Sequence, residues 1–189
     1  MSNYIKQFLL NPKEIGAIKE SSEGLAELIT CMADLSNATN VVELGPGTSV
    51  FTRKILQKIP STSNFFALET NPFFVSQTKK NCPEATVYHD SASKLQEYLR
   101  KHNMDSCDCI ISGLPWAAFD EESQKEFLDS ITNSLRPGGE FLSFSYLHSI
   151  FLPSARRFRS MLNEIFSFVK RTKVVWKNVP PAFVYYCIK

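Results

Sequence analysis

The chain reads as a doubly wound α/β domain: a mostly parallel seven-stranded sheet that closes on a C-terminal antiparallel hairpin. Three features carry that reading. From residue 40 onward, short apolar stretches alternate with amphipathic ones, as strands linked by crossover helices require. The first apolar stretch runs into a glycine-bearing turn, Gly45-Pro-Gly-Thr-Ser49, that opens a helix. Two closing apolar runs, Phe166–Trp176 and Ala182–Ile188, are separated only by Lys177-Asn-Val-Pro-Pro181. That is too short for a crossover helix, so the two runs pair antiparallel at the sheet edge.

The elements follow in order. Residues 3–9 gather Tyr4, Ile5, Phe8 and Leu9 on one side, a helix too short to stand alone in water. Residues 22–35 place Leu25, Leu28, Ile29 and Met32 on one stripe, with Ser21 or Ser22 as the cap. We read 1–35 as a helical extension serving as a lid or a membrane contact, and 36–189 as the sheet domain. Asn40–Leu44 is the first strand and 49–59 its helix. Asn64–Leu68 is the second strand, ending at Glu69, and Asn71-Pro72 starts the next helix with an Asn cap and Pro at the first helical position. Ala85–His89 is the third strand and 92–102 a helix. Cys107–Ser112 is the fourth strand, with Cys107 and Cys109 on one face by alternation. A helix over 121–135 closes on Arg136-Pro-Gly-Gly139, which has the chemistry of a helix C-terminus. Glu140–Tyr146 is the fifth strand.

Composition excludes several classes. The 189 residues carry 21 basic and 19 acidic groups, and apolar residues make up 43%. That is ordinary globular usage, neither disordered nor fibrous. No run of 18 apolar residues exists and the first residues lack a signal-like apolar stretch, so neither a membrane span nor secretion is expected. The five cysteines form no CxxC pair. A reduced, cytosolic compartment without disulfides or a zinc site is the economical reading.

Charge is uneven along the chain. Residues 1–149 hold 13 basic and 18 acidic groups, a net of −5, whereas residues 150–189 hold 8 basic groups and only Glu164, a net of +7. A solvated basic face, an anionic lipid surface and a nucleic acid all fit this asymmetry.

Ligands of open parallel sheets bind beyond the carboxyl ends of the strands, where the strand order reverses. The candidate binding turn is therefore Glu43-Leu-Gly-Pro-Gly-Thr-Ser49. Gly45 and Gly47 permit a tight turn and close approach of a ligand. Glu43 suits an amine-bearing ligand. Glu69, at the end of the second strand and 24 residues beyond Gly45, suits a ribose diol. Asp90, followed by Ser91, ends the third strand beside the place an adenine would take.

These residues resemble the class I S-adenosylmethionine-dependent methyltransferases. A closer resemblance is to the bacterial phospholipid N-methyltransferases, relatives of the ribosomal RNA adenine dimethyltransferases. It rests on Ile15–Ala26, Val42-Glu-Leu-Gly-Pro-Gly-Thr48, Phe51-Thr-Arg53, Ser112-Gly-Leu-Pro-Trp116 and Pro180-Pro-Ala-Phe-Val-Tyr185. The resemblance implies a Rossmann-like methyltransferase fold and S-adenosylmethionine as cofactor. It implies Glu43, Gly45, Gly47, Ser49, Glu69, Asp90, Ser91, Ser112 and Gly113 as its binding residues. It also implies an enzyme of the cytoplasm, peripherally attached to an anionic membrane surface, that methylates the amine of a phospholipid such as phosphatidylethanolamine. Two departures stand out. Ser49 replaces the third glycine of the turn, either narrowing the cofactor's approach or donating to it. Gly113 replaces the Asn of the RNA enzymes, and the chain stops before their RNA-binding domain, so no stable nucleic-acid partner is expected. RNA adenine, ornithine lipid and a small soluble amine stay as alternative acceptors, and a cofactor-binding module without catalysis as an alternative class.

Methyl transfer to an amine needs alignment, exclusion of water and an unprotonated acceptor. An apolar aromatic pocket lowers the amine's pKa by desolvation and holds methylated ammonium by cation–π contact. Trp116 and Tyr146 are the candidate walls and His148 the candidate proton relay. No metal is required. Residues 156–166 form a helix with Phe158, Met161, Leu162, Ile165 and Phe166 on one stripe and Arg156, Arg157 and Arg159 towards one end. The stripe suits either core packing or insertion into a membrane, and the arginines suit phosphates.

Overall fold

The structure, a computed structural model, describes residues 22–189. The predicted helix over 3–9, Ser21 and the opening residues of the Ile15–Ala26 motif lie outside the described residues. Helix α1 (Glu23–Met32) starts at Ser22, whose Oγ accepts from the Leu25 N–H at 3.2 Å. It buries Leu25, Ala26 and Ile29 against Val41, Ile111 and Leu142 of the sheet. A 3-10 turn over Leu35–Asn37 leads to strand β1 (Asn40–Leu44).

Strand–helix units then follow: α2 (Val50–Lys58), β2 (Asn64–Glu69), α3 (Pro72–Asn81), β3 (Thr86–His89), α4 (Leu95–Lys101), β4 (Cys107–Ser112), α5 (Glu121–Ser134) and β5 (Leu135–Tyr146). Helix α6 (Pro153–Ile165) leads to β6 (Phe168–Arg171) and β7 (Ala182–Ile188). The strand order is β3-β2-β1-β4-β5-β7-β6. The first five strands are parallel, and β7 pairs antiparallel with both β5 and β6. Helices cover both faces. Leu95, Leu128, Phe158 and Leu162 from α4, α5 and α6 fill one side with Val42, Leu44 and Phe66. The α1 and α2 side holds Ile29, Phe51 and Ile55.

Two local expectations change. Cys107 packs in the apolar cluster of one face and Cys109 in that of the other. Beside them the pairing with β5 is irregular: Cys107 pairs with Leu135 but Cys109 with Glu140, so Arg136-Pro-Gly-Gly139 forms an insertion inside the strand rather than a helix end. Gly138 sits at φ +72° there, and a Cβ on Gly139 would stand 2.9 Å from the Arg136 carbonyl oxygen. The closing hairpin is also asymmetric. Of Phe166–Trp176 only Phe168–Arg171 is strand, although Val175 makes an isolated bridge to Ala182.

Strand order reverses between β1 and β4. Their carboxyl ends, Leu44 and Ser112, are register partners, and this is where the site lies.

Candidate active site

Three backbone contacts lock the strand-end loops together. The Gly45 N–H donates to the Leu68 carbonyl at 2.8 Å, the Gly113 N–H to the Leu44 carbonyl at 2.7 Å, and the Asp90 N–H to the Glu69 carbonyl at 3.0 Å. The turn after β1 uses left-handed backbone at Gly45 (φ +74°), Gly47 (φ +53°) and Ser49 (φ +68°). A side chain on Gly45 would press Leu114, whereas nothing lies within 4 Å of a Cβ built on Gly47. Gly47 therefore borders open space. Ser49 adopts the conformation glycine favours, at a cost of roughly 1–2 kcal/mol. Its hydroxyl is fully buried, donates to the Thr48 carbonyl and accepts from Asn81 Nδ2 at 3.0 Å.

The three carboxylates lie at three successive strand ends. Glu43 is fully buried at the close of β1. Its Oε2 accepts from Thr52 Oγ1 at 2.7 Å, while its buried Oε1 has no hydrogen-bond partner among the described residues. Burial, reinforced by the negative Glu69 nearby, pushes its pKa up to about 8. Glu69 accepts from the Asn71 N–H at 2.9 Å and the Gly47 N–H at 3.2 Å, and burial raises its pKa against those bonds. The Thr70 N–H is a third backbone partner of the carboxylate, which offers about four lone-pair positions, so some acceptor capacity remains for a diol. Asp90 accepts from the Ser91 N–H at 2.8 Å and from the Tyr98 hydroxyl at 3.0 Å. Ser91 caps the next turn by accepting from the Ser93 N–H.

On the β4 side, a Cβ on Gly113 would stand 2.3 Å from the Gly45 carbonyl oxygen. Only glycine lets the two loops touch here. Ser112 Oγ accepts from Trp116 Nε1 at 3.1 Å. Trp116 is 3% exposed and stacks on Phe158 at 4.3 Å, so its place is the core, behind the β4 loop, rather than an open acceptor wall. The sequence predicts the face of the loop but not the partner that α6 brings across it. Tyr146 and His148 do come together beyond β5, their rings nearly parallel at 5.6 Å. Tyr146 is half-buried and His148 exposed, and burial raises the Tyr146 pKa.

Residues 41–139 match the family model described as a methyltransferase domain. The chain belongs to the methyltransferase domain family. Over 187 residues it is 25% identical to the ornithine lipid N-methyltransferase of Singulisphaera acidiphila, covering 97% of this chain and 93% of that protein. It is 32% identical over 89 residues to a tRNA1(Val) (adenine(37)-N6)-methyltransferase of a Flavobacteriaceae bacterium, covering 47% of this chain and 38% of that one. Among solved structures it superposes on an O-methyltransferase of tomaymycin synthesis from Streptomyces achromogenes. The TM-score is 0.73 at 15% identity, with 100% of this chain and 91% of that chain covered.

The methyltransferase domain suits the cofactor its resemblance implies. Oε1 of Glu43 is a buried oxygen without a hydrogen-bond partner among the described residues, and the cationic amino group of S-adenosylmethionine would suit it, favouring the ionised carboxylate that burial alone disfavours. Gly47 leaves room for close approach, and Glu69 keeps acceptor capacity for ribose hydroxyls. Two supporting residues escape a reading of the sequence alone. Thr52 holds Glu43 from nine positions away, one turn into α2. Tyr98 holds Asp90 from α4. Thr52 stands in the Phe51-Thr-Arg53 motif, which signals it without giving a role. Tyr98 has no local signal. Among the described residues no group of His, Cys, Asp and Glu is placed to hold a metal ion, and no described helix is long and apolar enough to cross a membrane.

Proposed function

We propose that this methyltransferase methylates the amine of a lipid headgroup, in the first instance that of phosphatidylethanolamine, working peripherally at a membrane surface from the cytoplasm. The observation that carries the reading is the whole-length match to an ornithine lipid N-methyltransferase. The same match makes ornithine lipid the second acceptor to test.

S-adenosylmethionine supplies an electrophilic methyl group on a sulfonium. The chain's residues do the rest. Glu43, Gly45, Gly47, Ser112 and Gly113 shape the cofactor end, and Glu69, Asp90 and Ser91 complete it. Tyr146 and His148 border the acceptor end, where Tyr146 desolvates the amine and so favours its neutral form. His148, exposed beside it, takes the proton that the methylated amine releases. Trp116 is a positioning residue, holding Ser112 from the core side. The phenolic ring of Tyr146 also presents a π face to the methylated ammonium.

The test incubates the full chain with methyl-labelled cofactor and vesicles that mix phosphatidylethanolamine, ornithine lipid and a non-amine lipid. Products are separated by headgroup. Label in the phosphatidylethanolamine products supports the reading. Label in RNA or a soluble amine, and none in lipid, rejects it.

A further inference from the structure

A second concavity lies beyond β5, outside the residues assigned to cofactor and amine. It has a volume of about 350 Å³ and is walled by Arg156 and Arg159 of α6, Arg171 at the end of β6, Tyr185 of β7, and Ile150 and Phe151 of the turn after β5. Arg156 and Arg159 are three apart on a helix and so share a face. Arg171 approaches from the facing strand edge, its guanidinium carbon 5.1 Å from the centre of the Phe183 ring. Both Arg159 and Arg171 act on the buried Tyr185 hydroxyl, opposing the rise that burial imposes on its pKa.

None of these three arginines is in an ion pair among the described residues. Their neighbour Arg157 is, with Glu121, and it also donates to Gln124 Oε1. Three unpaired like charges around one hollow repel one another, and an anion relieves that repulsion. The guanidinium fork matches phosphate and carboxylate geometry. The walls locate the anion. Tyr146 is followed directly by the 3-10 turn Leu147–Phe151, which rises about 2 Å per residue, so Ile150 sits on the order of 8 Å along the chain from Tyr146. On its wall Phe151 is 71% exposed, and the next residue along the chain, Leu152, is 45% exposed. A soluble anion has no use for them, whereas a lipid places its acyl chains there.

We propose that Arg156, Arg159 and Arg171 form the subsite for the anionic group of the acceptor lipid's headgroup, a phosphodiester or a carboxylate. Its amine then lies against Tyr146 and its acyl chains pass over Phe151 and Leu152. The proposal rests on the lipid-amine reading above and adds what recognises the lipid.

The experiment uses the full chain with substrates diluted in uncharged detergent micelles, which removes the surface charge of a bilayer. Wild type, R159Q, R159K and R156Q/R159Q are compared on phosphatidylethanolamine and on stearylamine, an amine without an anionic group. Both arginines are exposed, and melting curves check that each variant folds. R159Q raises KM for phosphatidylethanolamine about tenfold or more, the loss of one charge-assisted bond, with R159K in between. Cofactor affinity and KM for stearylamine stay put. Unchanged KM for phosphatidylethanolamine, or equal loss on both amines, overturns the subsite while leaving the lipid-methylating activity standing. Should wild type methylate no lipid at all, titration with inorganic phosphate decides. Binding that the double variant loses makes this a free-anion site and overturns the headgroup assignment, and absence of binding overturns it too.

Discussion

Glu43→Gln is the substitution that most directly tests the site. Burial lifts the Glu43 carboxyl from its ordinary 4.5 to about 8 when no cation faces it. Below pH 4.5 folded and unfolded chains both hold the proton, and the carboxyl costs nothing. Between 4.5 and 8 the unfolded chain ionises while the fold keeps its proton, so stability falls by about 1.4 kcal/mol per pH unit. At pH 7 the loss is about 3 kcal/mol, and it levels off above pH 8 at about 5. Glutamine is nearly isosteric, can still accept from Thr52, and does not titrate. Its amide nitrogen takes over the unpartnered position at a cost that does not vary with pH. The diagnostic is therefore the slope. The stability of Glu43→Gln minus that of wild type, from urea melts without cofactor, rises by about 3 kcal/mol from pH 4.5 to 7 and flattens above 8. Cofactor affinity moves the other way: losing a charge-assisted bond weakens it about tenfold to a hundredfold by calorimetry. Parallel stability curves for the two proteins over that window would show that burial does not hold Glu43 neutral in the free protein, and the argument from its desolvation would fail.

Gly113→Ala places a Cβ 2.3 Å from the Gly45 carbonyl oxygen, a backbone atom with little freedom to move. We expect a stability loss of about 1–3 kcal/mol and a collapse of cofactor binding, and a wild-type melting curve with full affinity would refute this. Trp116→Phe removes the N–H bond to Ser112 and costs about 1 kcal/mol, against about 3–5 for Trp116→Ala. A rise in acceptor KM at unchanged melting temperature would instead restore Trp116 to the acceptor wall. Sedimentation with vesicles should show binding to anionic liposomes that weakens from about 0.1 to 1 M salt, as the Debye length falls from about 10 to 3 Å. Neutral liposomes should bind poorly, and binding that ignores salt rejects the electrostatic part.

The order of strands and helices was legible because each strand is a short apolar run closed by a turn residue, and those signals are local. The three carboxylates were legible for the same reason: a strand end and an acidic residue coincide at Glu43, Glu69 and Asp90. What escaped depends on contacts between distant segments. The indole of Trp116 is covered by Phe158, 42 positions later, so its burial has no trace near residue 116. The irregularity around Gly138 and Gly139 resembles a helix end because both need glycine. Only the register with β4 distinguishes them. Arg156 and Arg159 were visible as a pair on a helix. Arg171 joins them through β-pairing, which turns a basic stripe into a hollow.

The net charge of the two regions, 1–149 and 150–189, takes on meaning once the strands are ordered. The −5 region supplies β1, β2 and β3, whose ends hold Glu43, Glu69 and Asp90. The +7 region supplies β6 and β7 at the far edge, with α6 beside them. Strand order therefore places three carboxylates, those of Glu43 and Glu69 buried, on one side and unpaired arginines on the other, with Tyr146 at the end of β5 between them. On the lipid-amine proposal, a cofactor that carries an amine and a sulfonium suits the first side and a headgroup that carries an anion suits the second. Like-charge repulsion and unpaired burial then disfavour each ligand in the other's place, so that sign of charge would separate the two before any shape is read.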